Sequence, residues 1–304
     1  MASELYVITG ATGNIGKKIS EILLAKKKKV RVIGRHAGKL AELVEKGAES
    51  FVGSLDDAAA MTHAFKGAQA IFTMIPPNYA AMDFRAYQNR IGETLAKALQ
   101  DSGAGFVVNL SSLGAHRPDK LGPINGLYDN EQRLNKLSGV NILHLRPAYF
   151  MENQFMSLDV IRKMGINGSS TRGDLPVPVI ATSDIANVAA EALLTLSFKD
   201  KTVQELLGPR DISLQEVTTI LGKAIGKPDL KYVQFSYEDT EKALLAMGFS
   251  ADLSRLFIEM SRGGNDGLMK PTQGRTPKTT TPTPFEEFAK TLAAAYNAGP
   301  VAVH

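Results

Sequence analysis

Cysteine is absent from the 304 residues, and so is tryptophan. A chain without thiols can make neither disulfides nor a thiolate metal site, and it cannot use a cysteine nucleophile. Histidine is scarce, with five in all; His36, His63 and His144 are scattered, and no pair has metal-ligand spacing. No metal is therefore expected. No apolar run reaches membrane-spanning length, and the N-terminus lacks the charged-then-apolar pattern of a signal peptide, so a cytoplasmic protein without membrane contact is expected. Excess charge is also lacking. The net charge of +4 suits an anionic small ligand and is too small to call for nucleic acid. There is no internal repeat. The length suits one large domain, or one and a half.

Glycine, by contrast, is placed with purpose. The apolar run Leu5-Tyr6-Val7-Ile8 leads into Thr9-Gly10-Ala11-Thr12-Gly13-Asn14-Ile15-Gly16, and Lys17 to Leu24 follows with apolar residues at helical spacing. A strand that stops at Thr9 and a helix that starts near Gly13 aim unpaired N–H groups at one point, where a dinucleotide pyrophosphate fits. Gly10 is expected to allow the tight turn, Gly13 the close approach of phosphate, and Gly16 the close packing of helix on strand. Gly10, Thr12, Gly13, Asn14, Ile15 and Gly16 are thus cofactor candidates. The basic run Lys26 to Lys29 reads as a solvated helix end.

Val30 to Gly34 reads as a second strand ending at Arg35-His36. NAD-binding units of this kind carry an acidic residue about 20 positions past the glycines, whereas an arginine there accepts a 2′-phosphate. Here the position holds Arg35, with Lys39 one helical turn on, which points to NADPH. Strands and helices then alternate through Leu145, which predicts a parallel sheet covered on both faces. The strand Ala48 to Val52 ends at Ser54 and Leu55, candidate adenine contacts, and Asp56 is expected to cap the next helix. Pro76-Pro77 breaks the fourth strand, leaving Thr73, Met74, Ile75 and Pro76 beside the middle of the cofactor. A long helix is expected from Tyr79 to Ser102. The fifth strand ends at Ser111-Ser112, and the sixth leads to Tyr149, so Ser111 and Tyr149 are expected around the nicotinamide.

The glycine motif, the serine-ended fifth strand and the stretch Leu145-Arg146-Pro147 to Phe150-Met151-Glu152-Asn153 resemble the NmrA-like family, a branch of the atypical short-chain dehydrogenases/reductases. Ser183-Asp184-Ile185-Ala186, Leu207-Gly208-Pro209 and Ala224-Ile225-Gly226-Lys227-Pro228 are similar to it too. The resemblance implies a Rossmann-type α/β fold, a doubly wound parallel sheet with a smaller mixed α/β C-terminal lobe. It implies NADPH as cofactor, and an activity drawn from a mixed family of quinone reductases, triphenylmethane dye reductases and non-catalytic dinucleotide-binding regulators.

Ordinary short-chain dehydrogenases carry Tyr-x-x-x-Lys, in which the lysine depresses the tyrosine pKa. Here Tyr128-Asp129-Asn130-Glu131-Gln132 puts Gln132 at the lysine position. Members of the family often have His-x-x-x-Glu, and aligning on Glu131 puts Leu127 at the histidine. Neither register supplies a tuned acid, so simple alcohol dehydrogenation is not expected. Hydride addition to a quinone gives a delocalised anion that a weak donor can protonate, and positioning then supplies most of the catalysis. Candidate helpers are Ser111 or Ser112 as hydrogen-bond donor, Tyr128 or Tyr149 as an apolar wall with a polar tip, and Asn153 as amide donor. Each has a packing role as an equal alternative. His116 stands beside Arg117-Pro118-Asp119, as a proton donor or an exposed surface histidine.

Residues 1–152, with 177–200 returning to them, are expected to form the dinucleotide domain; residues 153–176 and 201–304 are expected to form the substrate-side lobe. Within that lobe Gly165 to Ser170 reads as a linker, Pro176 to Ile180 as an edge strand, and Ser183 or Asp184 as the cap of a helix. Phe235, Met247, Phe249, Phe257 and Met260 either line a pocket for a flat aromatic substrate or pack as plain core. Gly274 to Pro284 reads as an extended crossing, Pro284 opens a terminal helix, and the chain after Gly299 is expected to fray. Two functions remain: an NADPH-dependent reductase of quinone-like acceptors, or a dinucleotide-binding redox sensor or transcriptional regulator. The resemblance also implies a homodimer through a four-helix contact, with the long helix from Tyr79 covered within the chain as an equal alternative.

Overall fold

In the computed structural model, which describes residues 4–299, the alternating patterns of the first half become β1 (Leu5–Ile8), α1 (Asn14–Ala25), β2 (Lys29–Gly34), α2 (Ala41–Glu45), β3 (Glu49–Val52), α3 (Ala58–Phe65), β4 (Ala68–Thr73), α4 (Phe84–Ser102), β5 (Phe106–Leu110), α5 (Pro123–Leu134) and β6 (Asn141–Pro147). The second half is more broken: β7 (Tyr149–Phe150), α6 (Leu158–Met164), β8 (Ile166–Ser169), β9 (Val177–Ile180), α7 (Thr182–Thr195), β10 (Lys201–Leu206), β11 (Asp211–Ile212), α8 (Leu214–Ala224), β12 (Lys231–Gln234), α9 (Tyr237–Ala246), α10 (Ala251–Asn265) and α11 (Phe285–Asn297). The fraying expected after Gly299 lies outside the described residues.

Seven strands pair side by side in parallel in the order β10-β6-β5-β4-β1-β2-β3. The chain order reverses between β1 and β4, and ligands of such sheets bind at that switch point, beyond the carboxyl ends of the strands. One face of the sheet packs on α1 and α7 through Ile19, Leu23, Ala186, Ala189 and Leu193. The other packs on α3 and α4 through Phe65, Ile91, Leu95 and Leu99. Each fully buried Ile or Leu in these layers contributes about 1.5–3 kcal/mol relative to exposure. The fold is thus the expected doubly wound α/β sheet with a smaller lobe, whose own core gathers Ile161, Val217, Leu221, Phe285, Phe288 and Leu292.

Several elements differ from their sequence reading, each for a physical reason. β10, expected in the smaller lobe, pairs with β6 as an edge of the main sheet; the strap around Thr272 and Gln273 covers its far side by donating backbone N–H groups to the fully buried Glu205 carboxylate. The linker Gly165 to Ser170 contains β8, because β12 offers it a parallel partner. β9 is the middle strand of a three-stranded sheet, not an edge, yet β7 reaches only Val179 and Ile180, so Pro178 has a single neighbour and needs no donor on its open side. The long helix starts at Phe84 and not at Tyr79, where Asp83 caps it by accepting from Ala86 N. Asp57, not Asp56, caps α3, by accepting from Ala60 N. Neither Ser183 nor Asp184 caps α7: the Glu152 carboxylate accepts from Thr182 N and Oγ1, while Asp184 accepts from Thr283.

Candidate active site

The glycine turn has the geometry its spacing implies. Gly10 sits at φ +63°, the left-handed region that a side chain disfavours, and its carbonyl accepts from Gly13 N at 3.0 Å. A Cβ at Gly16 would lie 2.4 Å from that same carbonyl oxygen, so only glycine lets α1 sit this close to the turn. A Cβ at Gly13 would meet nothing nearer than 3.5 Å, so its outer face is open to an approaching group. No side chain caps α1, and among the described residues the N–H groups of Asn14, Ile15 and Gly16 have no partner. An uncapped, glycine-edged helix start fits a diphosphate.

Beside it lies a cavity of about 220 Å³ lined by Ala11, Thr12, Lys17, Lys39, Glu42 and Leu43. Lys17 and Lys46 both hold the Glu42 carboxylate, at 2.5 and 2.7 Å, and lower its pKa to about 2. Lys39 lines this cavity, whereas Arg35 stands outside the lining, close enough to Tyr87 to act on its phenol. Ser54 donates to Asp56 at 3.2 Å. Met74 packs its sulfur over Gly10, and the Pro76 carbonyl accepts from Tyr87 Oη. The hydroxyl of Thr73 is turned away, to Asn109 Oδ1.

Just beyond the end of β5 both serine protons are spoken for. Ser111 N donates to Leu145 O and Leu113 N to Pro147 O, which carries the parallel pairing past the strand ends. Ser111 Oγ donates to Glu131 Oε1 at 2.5 Å, and the Ser112 hydroxyl donates to Leu113 O at 3.0 Å. Both serines expected as donors have therefore already committed their protons. Glu131, only 1% exposed, takes both Arg146 Nε and Nη2 in a bidentate pair. Sequence reasoning passed over Arg146 and gave Glu131 only an alignment role, although an arginine ending the mostly apolar strand Ile142 to Leu145 implies a buried carboxylate partner.

Behind this pair runs a second buried network. Asn109 Nδ2 donates to His144 Nδ1 at 3.1 Å, so the ring proton lies on Nε2, which donates to Asn135 Oδ1 at 3.0 Å. Burial pushes the His144 pKa down to about 4, and the ring stays neutral at pH 7. His116, the other histidine considered, is exposed; partial desolvation and then Arg146 lower its pKa.

Tyr149 follows β6 as a residue 39% exposed overall, and its hydroxyl accepts from Gln154 Nε2 at 3.4 Å. Burial of that end, ahead of the influence of Tyr232, raises the phenol to about 12, and bonds from Gln154 and Asn153 only partly offset it. Tyr149 and Asn153 are thus brought together. Tyr128 is not with them: it lines a groove between α4 and α5 with Asn89, Glu93, Asp129, Gln132, Arg133 and Lys136. The aromatic pocket also fails to gather. Phe249 packs on Tyr79 and Phe257 against the α4 side of the sheet, Met260 packs on Leu121, Met247 is exposed, and Phe235 lies over Gly168.

Among the described residues no group of three or more His, Cys, Asp or Glu could hold a metal, and no helix is long and apolar enough to cross a membrane. The sequence is 27% identical over 296 residues to the NAD(P)H azoreductase of Xenophilus azovorans, covering 97% of this chain and 100% of that one. The structure superposes with a TM-score of 0.80 on an NADPH-dependent quinone oxidoreductase from Escherichia coli in complex with NADPH, at 23% identity, covering 95% of this chain and 99% of the other. Triphenylmethane reductase of Citrobacter sp. gives 0.75 at 20% identity, over 96% and 99%. The NmrA-like family profile matches residues 2–289, nearly the whole chain, and the protein belongs to that family.

Proposed function

We propose that this protein is an NAD(P)H-dependent oxidoreductase, specifically a reductase that passes hydride from NADPH to a quinone-like, azo or other conjugated aromatic acceptor. The observation that carries this reading is the uncapped start of α1 with its open Gly13 face. Its full-length similarity to an NAD(P)H azoreductase supports it. Bound there, the dinucleotide supplies the hydride. Asn14, Ile15 and Gly16 hold the diphosphate, and Thr12 and Lys39 face the adenosine end. Lys39 and Arg35 favour the 2′-phosphate.

The chemistry uses no Tyr-Lys dyad. Gln132 occupies the lysine position, and Tyr128 lies in the α4–α5 groove. The remaining phenol is Tyr149. Its oxygen accepts from Gln154, so its proton is free to go to a substrate oxygen or nitrogen, and with a pKa of about 12 it stays protonated across the neutral range. It therefore acts as a hydrogen-bond donor to the developing anion, not as a tuned acid. A delocalised product anion needs no more. Tyr149→Phe should lower kcat/KM about 3- to 10-fold, the worth of one neutral hydrogen bond. The pH–rate profile should show no tyrosine ionisation between pH 6 and 9.

NADPH consumption measured against a panel of quinones, azo dyes and triphenylmethane dyes tests the whole reading. Turnover of at least one class is expected; tight NADPH binding with no turnover of any would replace the reductase with a dinucleotide sensor.

A further inference from the structure

The side chain just beyond the end of β5 has a fixed hydrogen-bond direction. A serine hydroxyl has one proton and two lone pairs. Ser111 is 5% exposed, its proton goes to Glu131 Oε1 at 2.5 Å, and among the described residues no donor reaches its oxygen. The direction cannot reverse, because a carboxylate held bidentately by Arg146 has only acceptors to offer. Arg146 and Glu131 are themselves locked, 8% and 1% exposed, between β6 and α5. Ser111 stands beyond the carboxyl end of β5, and Tyr149 beyond the end of β6, the neighbouring parallel strand, so both lie on the edge of the sheet where the acceptor binds. Their polarities are opposite: Tyr149 keeps its proton to give, and Ser111 has only lone pairs.

We propose that Glu131 is a positioning residue that fixes Ser111 as a hydrogen-bond acceptor, so that the cleft selects aromatic acceptors carrying a hydroxyl or N–H group. This rests on the reading of the cleft as an aromatic acceptor site. A phenolic hydroxyl or a hydrazone N–H supplies the missing donor. An ether or a bare ring leaves buried lone pairs unpaired, and that asymmetry sets the selectivity.

The test is a binding titration of 4-hydroxyazobenzene and 4-methoxyazobenzene to the protein saturated with NADP⁺, which cannot reduce them. The hydroxyl compound should bind about 3- to 10-fold more tightly than its ether. Ser111→Ala leaves the Glu131–Arg146 pair in place and should bring the two affinities together, and Ser111→Thr should restore the difference. Glu131→Leu combined with Arg146→Met removes the acceptor of the Ser111 proton without stranding a buried charge. The serine proton is then released into the cleft, and the preference should vanish or reverse in a variant that still melts cooperatively. Equal affinities in the parent protein, a preference that Ser111→Ala leaves intact, or no binding of either compound would overturn the proposal. Oxidation of NADPH with the same two compounds tests the reductase reading separately: a preserved affinity difference without turnover defeats that reading and leaves the role of Ser111 standing.

Discussion

The two ends of the cleft use charge in opposite ways. At the end proposed for the adenosine, Lys17, Glu42 and Lys46 form exposed pairs around a cavity, where solvent screens them. At the end proposed for the reaction, Glu131 and Arg146 form one buried bidentate pair tied to Ser111, beside the neutral His144 network. The first arrangement is exchangeable and suits ligand entry; the second is fixed and sets the direction of a hydrogen bond.

Breaking the buried pair gives the sharpest contrast. Glu131→Ala strands the Arg146 cation and should cost about 3–5 kcal/mol in a urea unfolding experiment. The matching change at the other end, Glu42→Ala, should leave the urea midpoint unchanged, because that group is solvent-exposed. Comparable losses at the two sites would erase the distinction.

Protonation probes the reaction end next. The folded pKa of His144 is depressed from 6.5 to about 4, so as pH falls the unfolded chain takes up the proton first. Stability is full above pH 6.5 and is lost between pH 6.5 and 4, by about 3 kcal/mol at most. Melting followed across that window should show the loss, and His144→Gln should flatten this part of the profile.

The glycines separate fold from ligand. Gly16→Ala meets the backbone of Gly10 and should lower the melting temperature, whereas Gly13→Val, open on its outer face, should melt like the parent and fail to bind dinucleotide. At the adenosine end Arg35→Glu should weaken NADPH far more than NADH in a fluorescence titration; equal losses would remove Arg35 as a reader of the 2′-phosphate. The smallest effect is expected from Glu42→Gln. Freeing Lys17 should tighten NADPH about twofold at low salt, and the gain should fade as salt is raised.

Legibility from sequence followed the range of the interactions. The glycine turn, the first six strands and the parallel pairing could be read because period, turn chemistry and helix-start signals are local. The cap of α7 was misread because its partner is distant: Glu152, 30 residues upstream, serves α7, and Asp184 serves Thr283. β8 went unseen because its partner β12 lies more than sixty residues on. The donor role expected of Ser111 failed for a related reason, since the group that takes its proton is on α5, 20 residues later.

The sequence alone determined the doubly wound sheet and the glycine turn, because glycine sterics and hydrophobic period act over a few residues. Only the tertiary structure decided which way the hydrogen bonds beyond β5 and β6 point. Hydrogen-bond direction depends on what each buried atom finds opposite it, and here those atoms come from β5, α5 and β6 at once.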